Sequence, residues 1–147
     1  MKFKLVFLAL LFSMCSNVTQ EASKEIRVVS LSTTHTEIIQ SLEAEETLIA
    51  VDSFSEVDFP VEVIDAYTVT AEELAPLNPD VVILAFDFNG IVEGLENQEI
   101  NYVLLPPAKN FEDVYSQIET IGSLVNKESE AFSTTRDMKV EINRILD

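Results

Sequence analysis

The sequence predicts a doubly wound α/β fold, with a mainly parallel sheet of about four strands and flanking helices. Two observations carry this prediction. Short apolar, often β-branched runs alternate with segments of helical periodicity from residue 26 onward. The chain also ends in a helical pattern that runs from about residue 128 to residue 146. Such alternation is typical of parallel strands joined by right-handed helical crossovers.

Four segments have the continuous apolar character of strands that are buried on both faces of a sheet. They are residues 26–31, 48–51, 81–85 and 102–105. Residues 52–69 contain Pro60 and several aromatic side chains, and we expect them to be irregular.

The helices between these strands are predicted from capping residues that precede apolar stripes. Thr33 or Thr34 can cap the first helix, and residues 70–73 (TAEE) form a capping box for the second. Further caps are predicted at Asn89 and at Asn110 with Asp113. Each helix is therefore expected to begin just after a strand or its loop.

Residues 1–15 follow the order of an export signal. Lys2 and Lys4 precede an apolar run, residues 5–12, that is too short to span a bilayer. Cys15 follows and resembles the acylated first residue of a mature bacterial lipoprotein; the alternative is a plain signal peptide with an incidental cysteine. We expect residues 1–14 to be a lipoprotein signal peptide, and the protein to be anchored through Cys15 in the periplasm or at the cell surface. As the only cysteine, Cys15 excludes an intrachain disulfide.

Composition and motifs argue against several function classes. The formal net charge is −17, which repels phosphate backbones and disfavours nucleic-acid binding. There is no GxGxxG sequence and no phosphate loop. His35 is the only histidine, and no nucleophile-elbow sequence surrounds any serine, so no catalytic residue is predicted. One histidine with scattered acids makes no metal site, and no cofactor is expected.

Ligands of doubly wound sheets bind outside the carboxyl ends of the strands. In this chain four of the aromatic residues fall in loops at that edge, where they suit stacking on a planar or macrocyclic ligand. The alternative is that these rings only seal the lobe. His35 is expected to cap the first helix or to line the mouth of the cleft, whereas Phe59 and Phe111 are expected to be core or staple residues. The four loop aromatics are Phe54, Tyr67, Phe86 and Phe88.

An ordered set of segments resembles the iron-siderophore, haem and cobalamin class of ABC-transporter substrate-binding proteins. Residues 27–37 (RVVSLSTTHTE) are similar to the opening of that family. Residues 48–60 and 72–82 resemble its next two motifs, and residues 89–95 and 110–122 continue the match in order. Departures are Thr33, where the family usually has proline, and residues 43–45 (EAE) in place of a glycine turn.

The resemblance implies two α/β lobes joined by a long helix, with the ligand held between the lobes. Residues 26–126 would form the N-terminal lobe after a polar tether at residues 15–25, and residues 127–147 would be the spanning helix, with the second lobe absent. It also implies a glutamate that docks on the ABC permease, matched here by Glu72 with Glu73 as the fallback. The implied ligand contacts are Ser32, Thr33, Thr34, His35, Phe54, Tyr67, Phe86, Asp87, Phe88 and Asn89.

The function predicted from these features is that of a non-enzymatic solute-binding lipoprotein lobe. Its ligand would be a metal chelate or corrinoid delivered to an ABC importer. One alternative is an envelope interaction lipoprotein, a half-family remnant that binds a protein and no small molecule. A small envelope enzyme is disfavoured by the missing nucleophile, metal set and phosphate loop.

Overall fold

A computed structural model describes residues 25–146, so the signal peptide and Cys15 lie outside the described residues. Short 3-10 turns at Glu45–Thr47 and Ala75–Leu77 supplement the regular elements. The strands are β1 Val28–Leu31, β2 Leu48–Asp52, β3 Glu62–Ile64, β4 Val81–Leu84 and β5 Tyr102–Leu104. The helices are α1 Thr33–Ser41, α2 Ala71–Leu74, α3 Ile91–Asn97, α4 Phe111–Leu124 and α5 Glu128–Leu146.

All strand pairs are parallel and the sheet order is β3-β2-β1-β4-β5, which confirms the predicted doubly wound fold. The sheet has one strand more than expected. β3 lies within the region predicted to be irregular and pairs with the end of β2, where Asp52 lies opposite Ile64. It is a three-residue edge strand whose Val63 is exposed, so it lacks the buried apolar run that marks the other strands.

The core consists of two apolar layers, one on each face of the sheet. β1 and β4 are buried along their whole length and contribute side chains to both layers. One layer packs against α1, α4 and the start of α5, with Ile39 and Ile121 fully buried. The other layer packs against α2 and α3, with Leu74 and Leu95 fully buried. The sheet is therefore covered on both faces, as parallel sheets require.

α5 packs against α4 at Ala131, Thr135 and Lys139. Gly122 lies so close to Ala131 that a Cβ on the glycine would collide with the alanine Cβ. Thr135 donates a hydrogen bond from Oγ1 to Glu119 Oε1 at 3.2 Å, and Lys139 Nζ lies 4.5 Å from the centre of the Tyr115 ring. The helix also exposes four large apolar side chains, which are Phe132, Val140, Ile145 and Leu146.

Two predicted helix caps are wrong. α1 begins after Ser32, whose side chain makes no capping bond, and Thr33 and Thr34 lie inside the helix. α3 begins after Gly90, which has a φ of 72°, and Asn89 is one residue too early to cap it. Glycine adopts this left-handed conformation without the steric cost that a side chain brings.

The other caps are confirmed. Thr70 and Glu73 form the complete capping box of α2, and the Asn110 side chain accepts a hydrogen bond from Asp113 N at the start of α4. Phe59 packs against the core as expected, whereas Phe111 is 57% exposed, so of the two roles expected for it, core or staple, the core role is wrong. Among the helices of residues 25–146, none is long and apolar enough to cross a membrane.

Candidate ligand-binding site

The carboxyl ends of the strands form a crevice at the point where the strand order reverses. From β1 the chain continues to β2 on one side of the sheet, and from β4 it continues to β5 on the other. The loops after β1 and β4 therefore diverge and leave a crevice between them, the usual ligand position in open parallel sheets. The loops after β2 and β3 border the same crevice, because β2 lies next to β1 and β3 lies next to β2.

Four aromatic rings from these loops meet at the crevice. Tyr67 and Phe88 have ring centres 4.7 Å apart, and Phe86 and Phe88 are 5.3 Å apart. Phe54 stands at 87° to Tyr67 with a centre distance of 6.2 Å. Phe54, Tyr67 and Phe86 are each at least half exposed, so the rings present free faces to solvent while supporting one another. Such a surface can stack on a large planar ligand.

The rings form one wall of a cleft of about 250 Å³. Hydroxyl groups at the start of α1 also line the cleft, which therefore combines aromatic rings with hydrogen-bonding groups. Seven of the ten residues that the resemblance implies as ligand contacts line this cleft, and their role in binding stays a prediction. They are Ser32, Thr33, Thr34, Phe54, Tyr67, Phe86 and Phe88.

Asp87 and Asn89 lie in the same loop but outside the lining of the cleft. Asp87 Oδ1 accepts a hydrogen bond from Val92 N at 3.1 Å near the start of α3. Asn89 Nδ2 donates to the Tyr67 carbonyl at 2.7 Å. These bonds join the loop after β4 to α3 and to the loop that carries Tyr67, so both residues support the position of the aromatic rings.

Asp52 lines the cleft and was missed by the sequence analysis as a site residue. It is 5% exposed, and its carboxylate accepts hydrogen bonds from the start of α1 and from two loops. The donors are Thr33 Oγ1 at 3.4 Å, Phe54 N at 3.3 Å and Ala66 N at 3.4 Å. The sequence did contain a signal for this role, which is a charged residue at the carboxyl end of a buried parallel strand. Burying such a charge costs free energy unless it is paired or hydrogen-bonded.

A chain of buried hydroxyl groups lies beneath the cleft. Thr36 Oγ1 donates to Ser30 Oγ at 2.9 Å, and Ser55 Oγ donates to Thr36 Oγ1 at 3.1 Å. Ser30 Oγ donates in turn to the carbonyl of Ser32 at 3.2 Å. These bonds connect β1, α1 and the loop after β2, so the polar wall of the cleft is held by its own hydrogen bonds.

His35 lines a neighbouring groove of about 630 Å³ that shares Ser32, Thr34 and Phe86 with the cleft. It is the third residue of α1 and is 2% exposed, so it does not cap the helix. Burial lowers the pKa of His35 to about 4, although a backbone hydrogen bond with Leu105 acts in the opposite direction. The imidazole is therefore neutral at pH 7, and its Nδ1 has no hydrogen-bond partner among the described residues.

Glu72 and Glu73 lie in the first turn of α2, outside the residues that line the cleft. Both are exposed. Glu73 closes the capping box, since its Oε2 accepts hydrogen bonds from Thr70 N at 2.9 Å and Thr70 Oγ1 at 3.1 Å. Glu72 is not part of the capping box. In the part of the chain that the structure describes, no cluster of three His, Cys, Asp or Glu residues could hold a metal ion.

A doubly wound lobe with a cleft outside its strand ends has the architecture of a solute-binding lobe. A family model described as periplasmic binding protein matches residues 28–146, and the chain belongs to that family. No curated protein matches this chain in sequence.

Solved structures show the same fold. The periplasmic haem-binding protein HutB of Vibrio cholerae is 25% identical with a TM-score of 0.71, and the match covers 82% of this chain and 49% of HutB. A possible iron-binding solute-binding protein from Staphylococcus epidermidis is 22% identical with a TM-score of 0.70, covering 84% of this chain and 51% of that protein. An Fe³⁺-hydroxamate transport protein from Saccharomonospora viridis is 20% identical with a TM-score of 0.62, and the match covers 82% of this chain and 49% of that protein. The chain thus spans about half the length of these proteins.

Proposed function

We propose that this chain is the N-terminal solute-binding lobe of an ABC importer for a metal chelate such as a ferric siderophore, haem or cobalamin. The observation that carries the proposal is the cluster of Phe54, Tyr67, Phe86 and Phe88 at the carboxyl edge of the sheet. Membership of the periplasmic binding protein family supports it, as do the haem- and iron-related neighbours.

The size of the cleft predicts how such a ligand is held. Sites for ligands of this class have volumes of about 300–1,000 Å³ and bury most of the ligand. The cleft of about 250 Å³ is smaller and open, so this lobe would cover only one side of a chelate. We therefore expect the chain alone to bind weakly, because losing half the contacts costs several kcal/mol and about 1.4 kcal/mol changes affinity tenfold.

Titration of the full chain with ferric siderophores, haem and cobalamin tests this proposal. The chain contains no tryptophan, so quenching of tyrosine fluorescence reports largely on Tyr67 at the cleft and on Tyr102 and Tyr115 elsewhere. Saturable quenching in the micromolar range or weaker is the expected result. If no chelate binds at any accessible concentration, the chain is better explained as an interaction lipoprotein without a small-molecule ligand.

We propose that Glu72 contributes to docking on the permease. It is exposed at the start of α2 and outside the cleft lining, so its replacement leaves the ligand contacts intact. In a two-lobe protein that carries this lobe, Glu72→Ala should weaken permease association and leave chelate affinity unchanged. Glu112→Ala is the matched control, because Glu112 is also exposed in the first turn of a helix. Equal transport rates for the two variants would contradict the assignment.

We propose that Cys15 carries a lipid anchor. The basic–apolar–cysteine order of residues 1–15 supports this, and stable attachment follows when more than one acyl chain enters the bilayer. Cys15→Ser should move the protein from the membrane fraction to the soluble envelope fraction. A Cys15→Ser protein that stays with the membranes as the parent does would contradict the anchor.

A further inference from the structure

Asp52 gives the cleft its electrostatic character. It is the one residue with a formal charge among the eleven described residues that line the cleft. The same lining contains aromatic rings, whose π-faces are also electron-rich. A positively charged group in the cleft would therefore be attracted both by an acidic side chain and by aromatic rings, whereas a carboxylate or phosphate would meet repulsion.

The hydrogen bonds of Asp52 leave it capacity for a further donor. A carboxylate can accept about four hydrogen bonds, two at each oxygen. The three that Asp52 receives have donor–acceptor distances of 3.3–3.4 Å, longer than the usual 2.9 Å or so for such bonds. The side chain is thus held in place from α1 and from two loops, yet a short charge-assisted bond from a ligand N–H group at the cleft surface remains available.

The start of α1 borders the same cleft and must be weighed against this charge. Helix N-termini attract anionic groups, because the first backbone N–H groups point outward and the helix dipole is positive there. In this lobe the Asp52 carboxylate lies beside that helix end, since its Oδ2 accepts a hydrogen bond from the Thr33 hydroxyl in the first turn. An anionic ligand near the start of α1 would therefore also be repelled by the protein's own carboxylate.

We propose that Asp52 is a specificity-determining residue that selects chelates presenting a cationic hydrogen-bond donor, such as a primary ammonium, over anionic chelates. This inference rests on the proposed function and adds the charge class of the ligand. A cationic donor would bond to the Asp52 carboxylate while the body of the chelate stacks on the ring of Tyr67 or Phe86.

Matched ligands test the charge preference without altering the protein. The ferric complex of one linear tris-hydroxamate can end in an ammonium, in an acetylated amine or in a succinylated amine, with the same iron coordination. These complexes carry one net positive charge, no net charge and one net negative charge. Equilibrium dialysis of each iron-labelled complex against the full chain at low salt gives the three affinities. We expect the ammonium complex to bind about tenfold more tightly than the acetylated one, which corresponds to about 1.4 kcal/mol, and the succinylated complex to bind most weakly.

Asp52→Asn then assigns the preference to its residue, because asparagine keeps the shape and one acceptor oxygen. The variant should bind the acetylated complex within about twofold of the parent and lose most of the preference for the ammonium complex. Asp58→Asn is the control for net charge, since Asp58 is exposed outside the cleft lining, and it should keep the preference. Added salt should reduce the preference in the parent, because screening weakens the attraction.

The outcomes separate this inference from the proposed function. If the parent binds the complexes without a charge preference, or prefers the succinylated one, the inference is overturned and the proposed function stands. If Asp52→Asn keeps the full preference, another group sets it and the assignment to Asp52 fails. If the chain binds none of these complexes and neither haem nor cobalamin, both the inference and the proposed function fail.

Discussion

The ligand cleft and α5 both expose large apolar side chains, but they do so in different ways. Tyr67 and Phe132 are 54% and 63% exposed, so exposure alone does not distinguish the two regions. The cleft rings come from three separate loops, and their centres lie 4.7–6.2 Å apart. The exposed side chains of α5 all come from one helix and include a single aromatic residue.

This difference shows that an apolar binding surface depends on convergence rather than on exposure. The backbone beside the cleft rings is tied by hydrogen bonds, from Phe54 N to Asp52 and from Asn89 to the Tyr67 carbonyl, and the rings contact one another. On α5 the exposed apolar side chains are spread along one helix. The proposed ligand surface therefore has ring contacts that can limit the side-chain entropy lost on binding.

The largest expected effect concerns the attachment of α5. Gly122→Ala places a Cβ against Ala131 and should lower the free energy of unfolding by about 2 kcal/mol, because the two helices must move apart. Chelate binding at the cleft should be retained if the two regions are independent. Urea unfolding measures the first effect and dialysis the second.

Gly90→Ala is the matched control for this change. A Cβ at Gly90 meets no atom within 4 Å, so its cost comes only from the φ of 72° and should be about 1 kcal/mol. Equal urea midpoints for Gly122→Ala and the parent would show that the contact between α4 and α5 yields easily.

A slightly smaller effect is expected at His35, which lies in the groove that also contains Met138 of α5. Burial lowers the pKa of His35 from 6.5 to about 4. As the pH falls through this window, the unfolded chain takes up a proton at His35 before the folded chain does, so stability is lost. Between pH 7 and pH 5 the loss from this residue should be about 1.8 kcal/mol.

His35→Leu should remove that part of the pH dependence, because leucine cannot take up a proton. The difference in unfolding free energy between pH 7 and pH 5, measured for both proteins, checks this. Carboxylates titrate in both and cancel in the comparison. The same loss in the variant as in the parent would mean that His35 takes up its proton equally well in the folded chain.

The smallest effect compares the two exposed surfaces directly. Tyr67→Ala should weaken chelate binding about tenfold, or about 1.4 kcal/mol, because it removes the ring that contacts both Phe54 and Phe88. Phe132→Ala removes an equally exposed ring from α5 and should leave binding unchanged. Similar losses in both variants would remove the distinction between cleft and helix.

The strands buried on both faces could be predicted from sequence, because a continuous apolar run such as residues 81–84 has few other uses in a soluble domain. β3 could not, since an exposed edge strand is specified by its neighbour's hydrogen bonds rather than by its own side chains. The caps at Thr33 and Asn89 were wrong for a related reason. Ser32 and Gly90 occupy the N-cap positions instead, neither with a side-chain capping bond, so the start of each helix depends on the path of the loop in three dimensions.

The candidate site shows a similar division. Phe54, Tyr67, Phe86 and Phe88 could be assigned to the carboxyl edge from the order of strands alone, and the structure brings their rings together. Asp52 was missed because its hydrogen bonds depend on the folded structure, which brings Thr33 of α1 and the loop that contains Ala66 close to its carboxylate. A single acidic residue at a strand end gives no sign of partners far along the chain.

The close contact between Gly122 and Ala131 affects the angle at which α5 packs on α4. The helix has 19 residues and extends for about 29 Å at 1.5 Å per residue, and its contacts with α4 include Ala131, Thr135 and Lys139. A tilt of only about 5° at Glu128 would move Leu146 by about 2.5 Å over that length. Added side-chain bulk at Gly122 or Ala131 would therefore displace the far end of the helix by more than it displaces the contact itself.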